Sequence, residues 1–177
     1  AKYLANYLFL AFSFAWPLTG WAETIRVASY NVENYLVMDR IVSGRWQEDY
    51  PKPAKERLIV RSVINQTNPD ILAIQEIGER VYLDELWKDL NNTNGVQFKY
   101  SAWLPGLGEG EQRHLALLSK IPFKLVPSTA DLSFKNFEVR RSPSRGLLEA
   151  VFETNGQKWT LFNLHLKSKW TERPDDP

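Results

Sequence analysis

The order of patterns along the chain predicts a layered α/β fold built on a mixed β-sheet. Two strand-then-helix units come first, and a run of strands without helical periodicity follows. The last two of these strands close around Asn155-Gly156, the strongest short-range hairpin signal in the sequence. Strands that alternate with helices and then give way to strands alone call for helices packed on a sheet, with further strands layered against it.

Bulk composition sets the outer limits. The 177 residues suit one domain. Hydrophobic residues make up 44% and charged residues 24%, both ordinary for a globular protein with a real core. The net charge of +1 gives no global basic field to announce nucleic acid, although a local patch would be enough. Cysteine is absent, which excludes disulfides, thiolate zinc sites and a cysteine nucleophile. The seven tryptophans are read as core and surface packing residues, with sugar or base stacking as the alternative.

The chain opens with Lys2, an apolar run from Tyr3 to Trp16, then Pro17 and a small-residue stretch ending in Gly20-Trp21-Ala22. Basic start, apolar run and small-x-small site are the order of a secretory signal. The run falls short of the ~20 residues a membrane span needs. Residues 1–22 are therefore expected to be a signal peptide cleaved after Ala22, leaving residues 23–177 as one exported domain, secreted or periplasmic. A membrane anchor is the alternative.

In the mature chain, Ile25 to Tyr30 alternates and is rich in β-formers, so a strand ending at Asn31 is expected. Residues 36–52 read as a polar loop punctuated by Gly44 and Pro51-Lys52-Pro53. Leu58, Ile59, Val63 and Ile64 recur at helical spacing from Ala54 to Thr67, and Asn68-Pro69-Asp70 ends that helix. Ile71-Leu72-Ala73-Ile74 suits a strand covered on both faces. Residues 79–91 are helical again, and Asn91 to Gly95 is a turn. Strands are expected at Phe98–Trp103, His114–Ser119 and Phe123–Val126, with a Gly-rich loop from Pro105 to Gly110. Residues 128–145 look irregular. Leu147–Glu153 and Lys158–Leu164 form the final hairpin.

Three polar residues fall at or near strand ends. Asn31 closes the first strand, Glu76 follows Ile71-Leu72-Ala73-Ile74-Gln75, and His165 follows Phe162-Asn163-Leu164. In open α/β sheets ligands gather outside the carboxyl ends of strands. A carboxylate there suits Mg²⁺, which takes one or two carboxylates and keeps waters for substrate phosphate. A histidine there can exchange a proton with a phosphate oxygen or a water. Taken singly, Asn31 also reads as a turn residue, Glu76 as a helix cap and His165 as a buried structural histidine.

Five segments in order resemble the successive motifs of the endonuclease/exonuclease/phosphatase superfamily. They are Tyr30-Asn31-Val32-Glu33, Asp70 to Glu76, Ala116 to Lys120, Arg145 to Leu148, and Asn163-Leu164-His165-Leu166. The element from Pro69 to Gln75-Glu76 is the most specific. The resemblance implies a four-layer α/β/β/α sandwich, with only the first sheet, its helices and the start of the second sheet in this chain. It implies a Mg²⁺-dependent (or Mn²⁺-dependent) phosphoester hydrolase, nuclease-like, and the signal-like start makes it an exported one. Glu76 would hold the metal, Asn31 would orient metal and phosphate, and Glu33 would reach a second metal. Arg145 would contact substrate phosphate, or else be a solvated loop charge. His165 would act on the phosphate. His114 matches no catalytic position and reads as structural.

The family pattern continues with Gly-Asp-x-Asn and Ser-Asp-His motifs, and neither occurs here. The expectation is an incomplete domain, inactive alone. The rival is a secreted binding module that keeps the fold without the chemistry. Arg140, Arg141 and Arg145 near the expected site lean the substrate toward nucleic acid, since arginine forks match phosphate.

Overall fold

The computed structural model describes residues 24–92, 95–126, 133–136 and 138–166. The expected signal peptide, residues 1–22, and the tail at 173–177 lie outside the described residues. In chain order the elements are β1 (Val27–Tyr35), β2 (Met38–Val42), β3 (Arg45–Tyr50), α1 (Ala54–Thr67), β4 (Ile71–Ile77), α2 (Arg80–Asn91), β5 (Tyr100–Leu104), β6 (His114–Ser119), β7 (Phe123–Leu125), β8 (Phe134–Asn136), β9 (Val139–Arg141), β10 (Leu147–Thr154) and β11 (Gln157–Leu164).

Four strands form the first sheet in the order β1-β4-β6-β5. β1 and β4 run parallel, joined through α1, while β6 pairs antiparallel with both β4 and β5. This is the mixed sheet that the element order predicts. A second, antiparallel sheet has the order β11-β10-β7.

Alternation along β4 shows how the layers arise. Leu72 and Ile74 face one way and join Val60 and Ile64 of α1 and Leu83, Leu86 and Leu90 of α2 in one core. Ile71 and Ala73 face the other way and join Leu148, Ala150 and Phe152 of β10 in a second core. Successive strand side chains point to opposite faces, so a strand between two cores must be apolar on both, and β4 is from Ile71 to Ile74. The described residues thus supply three layers of the expected sandwich: helices, first sheet, and the opening of the second. In the second core Phe152 stacks on Trp159, with ring centroids 4.5 Å apart and planes 12° from parallel.

Local signals explain the helix boundary. Asn68 ends α1 in the left-handed conformation, φ 44°, and donates its N–H to the Ile64 carbonyl at 2.9 Å. Asparagine tolerates that conformation better than most residues, and Pro69 cannot continue the helix.

Two segments depart from expectation. Residues 36–52 are not a loop throughout: they hold the β2–β3 hairpin, which turns at Ser43 (φ 52°) and Gly44 (φ 77°). Two consecutive positive φ angles are the signature of a tight hairpin turn. The apolar residues of the hairpin, Met38, Ile41, Val42, Trp46 and Tyr50, do not alternate regularly with polar ones, so its strands leave no clean period-2 pattern to read. Similarly, β8 and β9 pair within the stretch expected to be irregular. At the other margin, β1 runs on past Asn31 to Tyr35, and β4 past Ile74 to Ile77. Both extensions belong to the site.

Candidate active site

Because β1 and β4 are parallel neighbours, their carboxyl ends lie at the same end of the sheet, which brings Asn31 and Glu76 together. Pairing is regular up to Asn31 opposite Gln75, and resumes only at Tyr35 opposite Ile77. On β4 the single residue skipped is Glu76, and it is also skipped in the pairing with β6, where Gln75 faces Leu115 and Ile77 faces His114. Glu76 is therefore the extra residue of a β-bulge, held at φ 62°. A bulge breaks alternation and re-aims a side chain. Gln75 points into the space between the sheets, and Ile77, two residues on, lies in the helix-side core instead. Glu76 is left free to turn its carboxylate toward the end of the second sheet.

The opposite bulge on β1 contains Val32, Glu33 and Asn34, with Glu33 at φ 53° and Asn34 at φ 55°. Asn31 Oδ1 accepts the Glu33 N–H at 2.8 Å, which fixes the start of the bulge. The Asn34 N–H then donates to Glu76 Oε2 at 3.0 Å.

Register between the sheets comes from two buried amides. Asn163 of β11 donates from Nδ2 to the carbonyls of Ile74 and Ala116, both at 3.0 Å, and accepts from Gln75 Nε2 at 2.6 Å. With Asn163 clamped against β4 and β6, His165 two residues on arrives beside Glu76, with Nε2 3.3 Å from Glu76 Oε1. Arg145 Nη1 lies 3.0 Å from the same imidazole, and Arg145 Nε donates to Glu111 Oε2 at 3.3 Å. Arg113 lies 3.9 Å from the other Glu111 oxygen and donates from Nε to Asn34 Oδ1 at 2.7 Å. The contacts close a ring: Glu76, His165, Arg145, Glu111, Arg113, Asn34 and back to Glu76.

Electrostatics follow from that ring. Burial and the Arg145 charge hold the His165 imidazole below its ordinary pKa, against the opposing pull of Glu76 and Glu111. A neutral ring with Nε2–H donating to Glu76 and Nδ1 accepting from Arg145 satisfies all three groups, and this tautomer is inferred from the partners. Glu76, only 15% exposed, touches a backbone N–H and a neutral imidazole, so among the described residues no cation pairs with it directly. A nearly buried carboxylate in that condition calls for a counter-charge. Among the described residues no three Asp, Glu or His side chains gather to hold a metal ion. One carboxylate beside an amide-rich bulge fits Mg²⁺ or Mn²⁺, which keep most of their waters; it does not fit zinc or calcium, which demand more protein ligands.

The structure brings together Glu76, His165 and Arg145, and sets Asn31 at the foot of the bulge. Glu33 contributes its backbone, while its side chain is exposed and has no partner among the described residues. Arg140 bonds Ser133 at 2.6 Å within its own hairpin and does not join the ring. His114 is 4% exposed, accepts the Gly106 N–H at 2.9 Å and meets Trp103 edge-on, in keeping with a structural role. Sequence reasoning missed Asn34, Glu111 and Arg113. The one available signal was a charged run, Glu109 to Arg113, between a Gly-rich loop and a buried strand.

Two sheets packed face to face, helices on the outer side of the first, and polar groups gathered at the strand ends define a layered α/β sandwich. No known family model and no curated protein matches the sequence. Solved structures do. An endonuclease/exonuclease/phosphatase family protein from Leptotrichia buccalis C-1013-b aligns at TM-score 0.52 and 15% identity, over 81% of this chain and 54% of its own. A β-hairpin deletion mutant of beta toxin from Staphylococcus aureus aligns at TM-score 0.51 and 15% identity, over 84% and 53%. The chain shares the fold of these two neighbours and spans about half their length.

Proposed function

We propose that this chain is part of an exported, divalent-metal-dependent phosphoester hydrolase, with nucleic acid as the favoured substrate class. One observation carries the reading: the bulge at Glu76 and the amide clamp at Asn163 bring a carboxylate, an imidazole and an arginine from distant segments to one strand end. Building that constellation takes a glutamate in the left-handed region and two buried amides that join the sheets.

Glu76, with Asn31 nearby, would hold Mg²⁺ or Mn²⁺. When bound, the ion polarises the phosphoryl oxygen and offsets charge on the leaving oxygen. His165, neutral near pH 7, offers an N–H donor beside that carboxylate. Arg145 offers a fixed guanidinium whose direction Glu111 sets. Glu76 and Glu111 balance Arg113 and Arg145 in formal charge, so the ring alone has no excess attraction for an anionic phosphoester. That balance supports the need for an added cation. The apolar start and small-x-small site support export. The sequence contains no Gly-Asp-x-Asn or Ser-Asp-His element, and the proposed activity requires a chain that supplies both.

The test is Mg²⁺ titration of phosphodiesterase activity in the full-length protein. Glu76→Gln keeps the size and removes the charge, and is expected to weaken Mg²⁺ binding and cut turnover at least 100-fold, in the range mutated catalytic groups show. His165→Ala is expected to cut turnover comparably with a smaller change in Mg²⁺ affinity. A Glu76→Gln protein with wild-type rate and metal requirement would rule the reading out.

A further inference from the structure

Lys52 is 4% exposed. Lysine is almost never so buried unless it is paired, and the chain confines this one between Pro51 and Pro53, whose rings hold the local backbone extended. Its ammonium donates to Glu56 Oε2 at 2.9 Å and to the backbone carbonyl of Glu33 at 2.8 Å. The Glu56 contact is an i,i+4 pair with a half-exposed acid and explains little. The carbonyl contact is the informative one.

The Glu33 carbonyl and the Asn34 N–H belong to one peptide unit. In a planar trans peptide these two groups point in opposite directions, and no cis bond occurs among the described residues. Lys52 grips one side of this plane, and the other side donates to Glu76 Oε2 at 3.0 Å. Both flanking residues are in the left-handed region, Glu33 at φ 53° and Asn34 at φ 55°. Such a conformation costs free energy and persists only where surroundings hold it. We propose that Lys52 is a positioning residue that acts on Glu76 through the single peptide between Glu33 and Asn34.

The ammonium does two things there. It fixes the rotation of the plane, and so the direction from which Glu76 receives its hydrogen bond. It also polarises the carbonyl, which strengthens the N–H on the far side as a donor. Arg40 supports the same stretch from β2, donating to the carbonyls of Leu36 at 2.8 Å and Asn34 at 3.3 Å. The hairpin and the Pro-Lys-Pro segment after it thus serve as the back wall of the site. This inference rests on the reading of Glu76 given above.

The experiment compares wild type, Lys52→Met, Lys52→Arg and Glu76→Ala in the full-length protein. The Asn34 amide exchange rate is followed by NMR, and Mg²⁺ affinity by calorimetry. Lys52→Met keeps the length and apolar stem and removes the donor. Expected are loss of Asn34 protection in Lys52→Met and in Glu76→Ala, and its retention in Lys52→Arg. The Mg²⁺ dissociation constant of Lys52→Met is expected to rise about 10-fold or more, the scale of losses when a ligand's supporting partner is removed, with rescue by Lys52→Arg. Full protection of Asn34 in Lys52→Met would overturn the proposal. So would lost protection with unchanged Mg²⁺ affinity, which would make Lys52 a purely structural strut. If wild type binds no Mg²⁺, the metal reading of Glu76 falls, and the exchange data alone decide whether Lys52 governs the peptide. Should Lys52→Met fail to fold, Lys52→Gln, which keeps a neutral donor, is expected to retain partial protection, and loss of none would count against the proposal.

Discussion

Arg145 stands between an acid and an imidazole, and that placement makes its effect on His165 measurable. Its positive charge pushes the imidazole pKa down, while Glu111 pulls it up. Arg145→Gln removes the first influence, so His165 is expected to titrate at higher pH than in wild type. Glu111→Gln removes the second, so it is expected to titrate lower. The chain holds two histidines, so the ring-proton NMR titration needs only the His165→Ala spectrum to assign it. A shift of the same sign in both variants would mean that the ring geometry is wrong. At this scale the sequence showed the residues that end strands, Glu76 and His165, because apolar runs mark strands and polar residues interrupt them. It could not show Asn34, Glu111 or Arg113. These join the site through contacts spanning 34 residues from Glu111 to Arg145 and 79 from Asn34 to Arg113, and nothing local in the chain records such pairs.

Elements are joined here by polar groups as well as by packing. Asn163 is 2% exposed and satisfies two carbonyls of the first sheet while accepting from Gln75. Asn163→Leu keeps the bulk and leaves these groups buried without partners. Each unsatisfied buried group costs about 1–3 kcal/mol, so a loss of at least about 2 kcal/mol is expected in urea denaturation, with activity falling further than stability because His165 loses its register. Asn163→Asp, which accepts but cannot donate in its ionised form, is expected to be no better. Stability within about 0.5 kcal/mol of wild type for Asn163→Leu, the range of an inert surface change, would show that packing alone aligns the sheets. The helices, β4 and the last hairpin were legible because each carries a strong local rule: 3.6-residue periodicity, a run apolar on both sides, an Asn-Gly turn. The β2–β3 hairpin carries none of these. It shows Ile41 and Trp46 to solvent, while its half-buried positions mix Met38, Val42 and Tyr50 with Arg40 and Gln47, so the clean pattern of a half-buried strand never forms.

At the scale of the whole molecule, the first sheet carries a polar cluster at each end. Glu76 and the ring occupy the carboxyl end of β4. Asp70 stands just before its amino end, six residues away and therefore roughly 20 Å along an extended strand. There Asp70 ties three segments together. Its carboxylate accepts the Arg26 N–H at 2.9 Å before β1 and the Lys120 ammonium at 3.1 Å after β6, and its backbone carbonyl accepts the Lys120 N–H at 2.8 Å. Burial acts to raise its pKa, but the Arg26 N–H and Lys120 outweigh it and hold the carboxyl below the usual 3.8. A carboxyl with a depressed folded-state pKa adds stability that is fully present above its unfolded-state pKa. That stability is lost as pH falls through the folded-state pKa, because the unfolded chain takes up the proton first. Asp70→Asn keeps the shape and removes the charge. The variant is expected to melt below wild type at pH 7. The gap should hold constant down to about pH 4 and then close on further acidification, as wild type loses the interaction the variant never had. Thermal unfolding from pH 7 to pH 2 reads this directly, and the Mg²⁺ requirement should be unchanged in the variant because the site lies at the other end of the strand. A gap that stays constant to pH 2 would show that the shape of Asp70, and not its charge, holds the base of the sheet together.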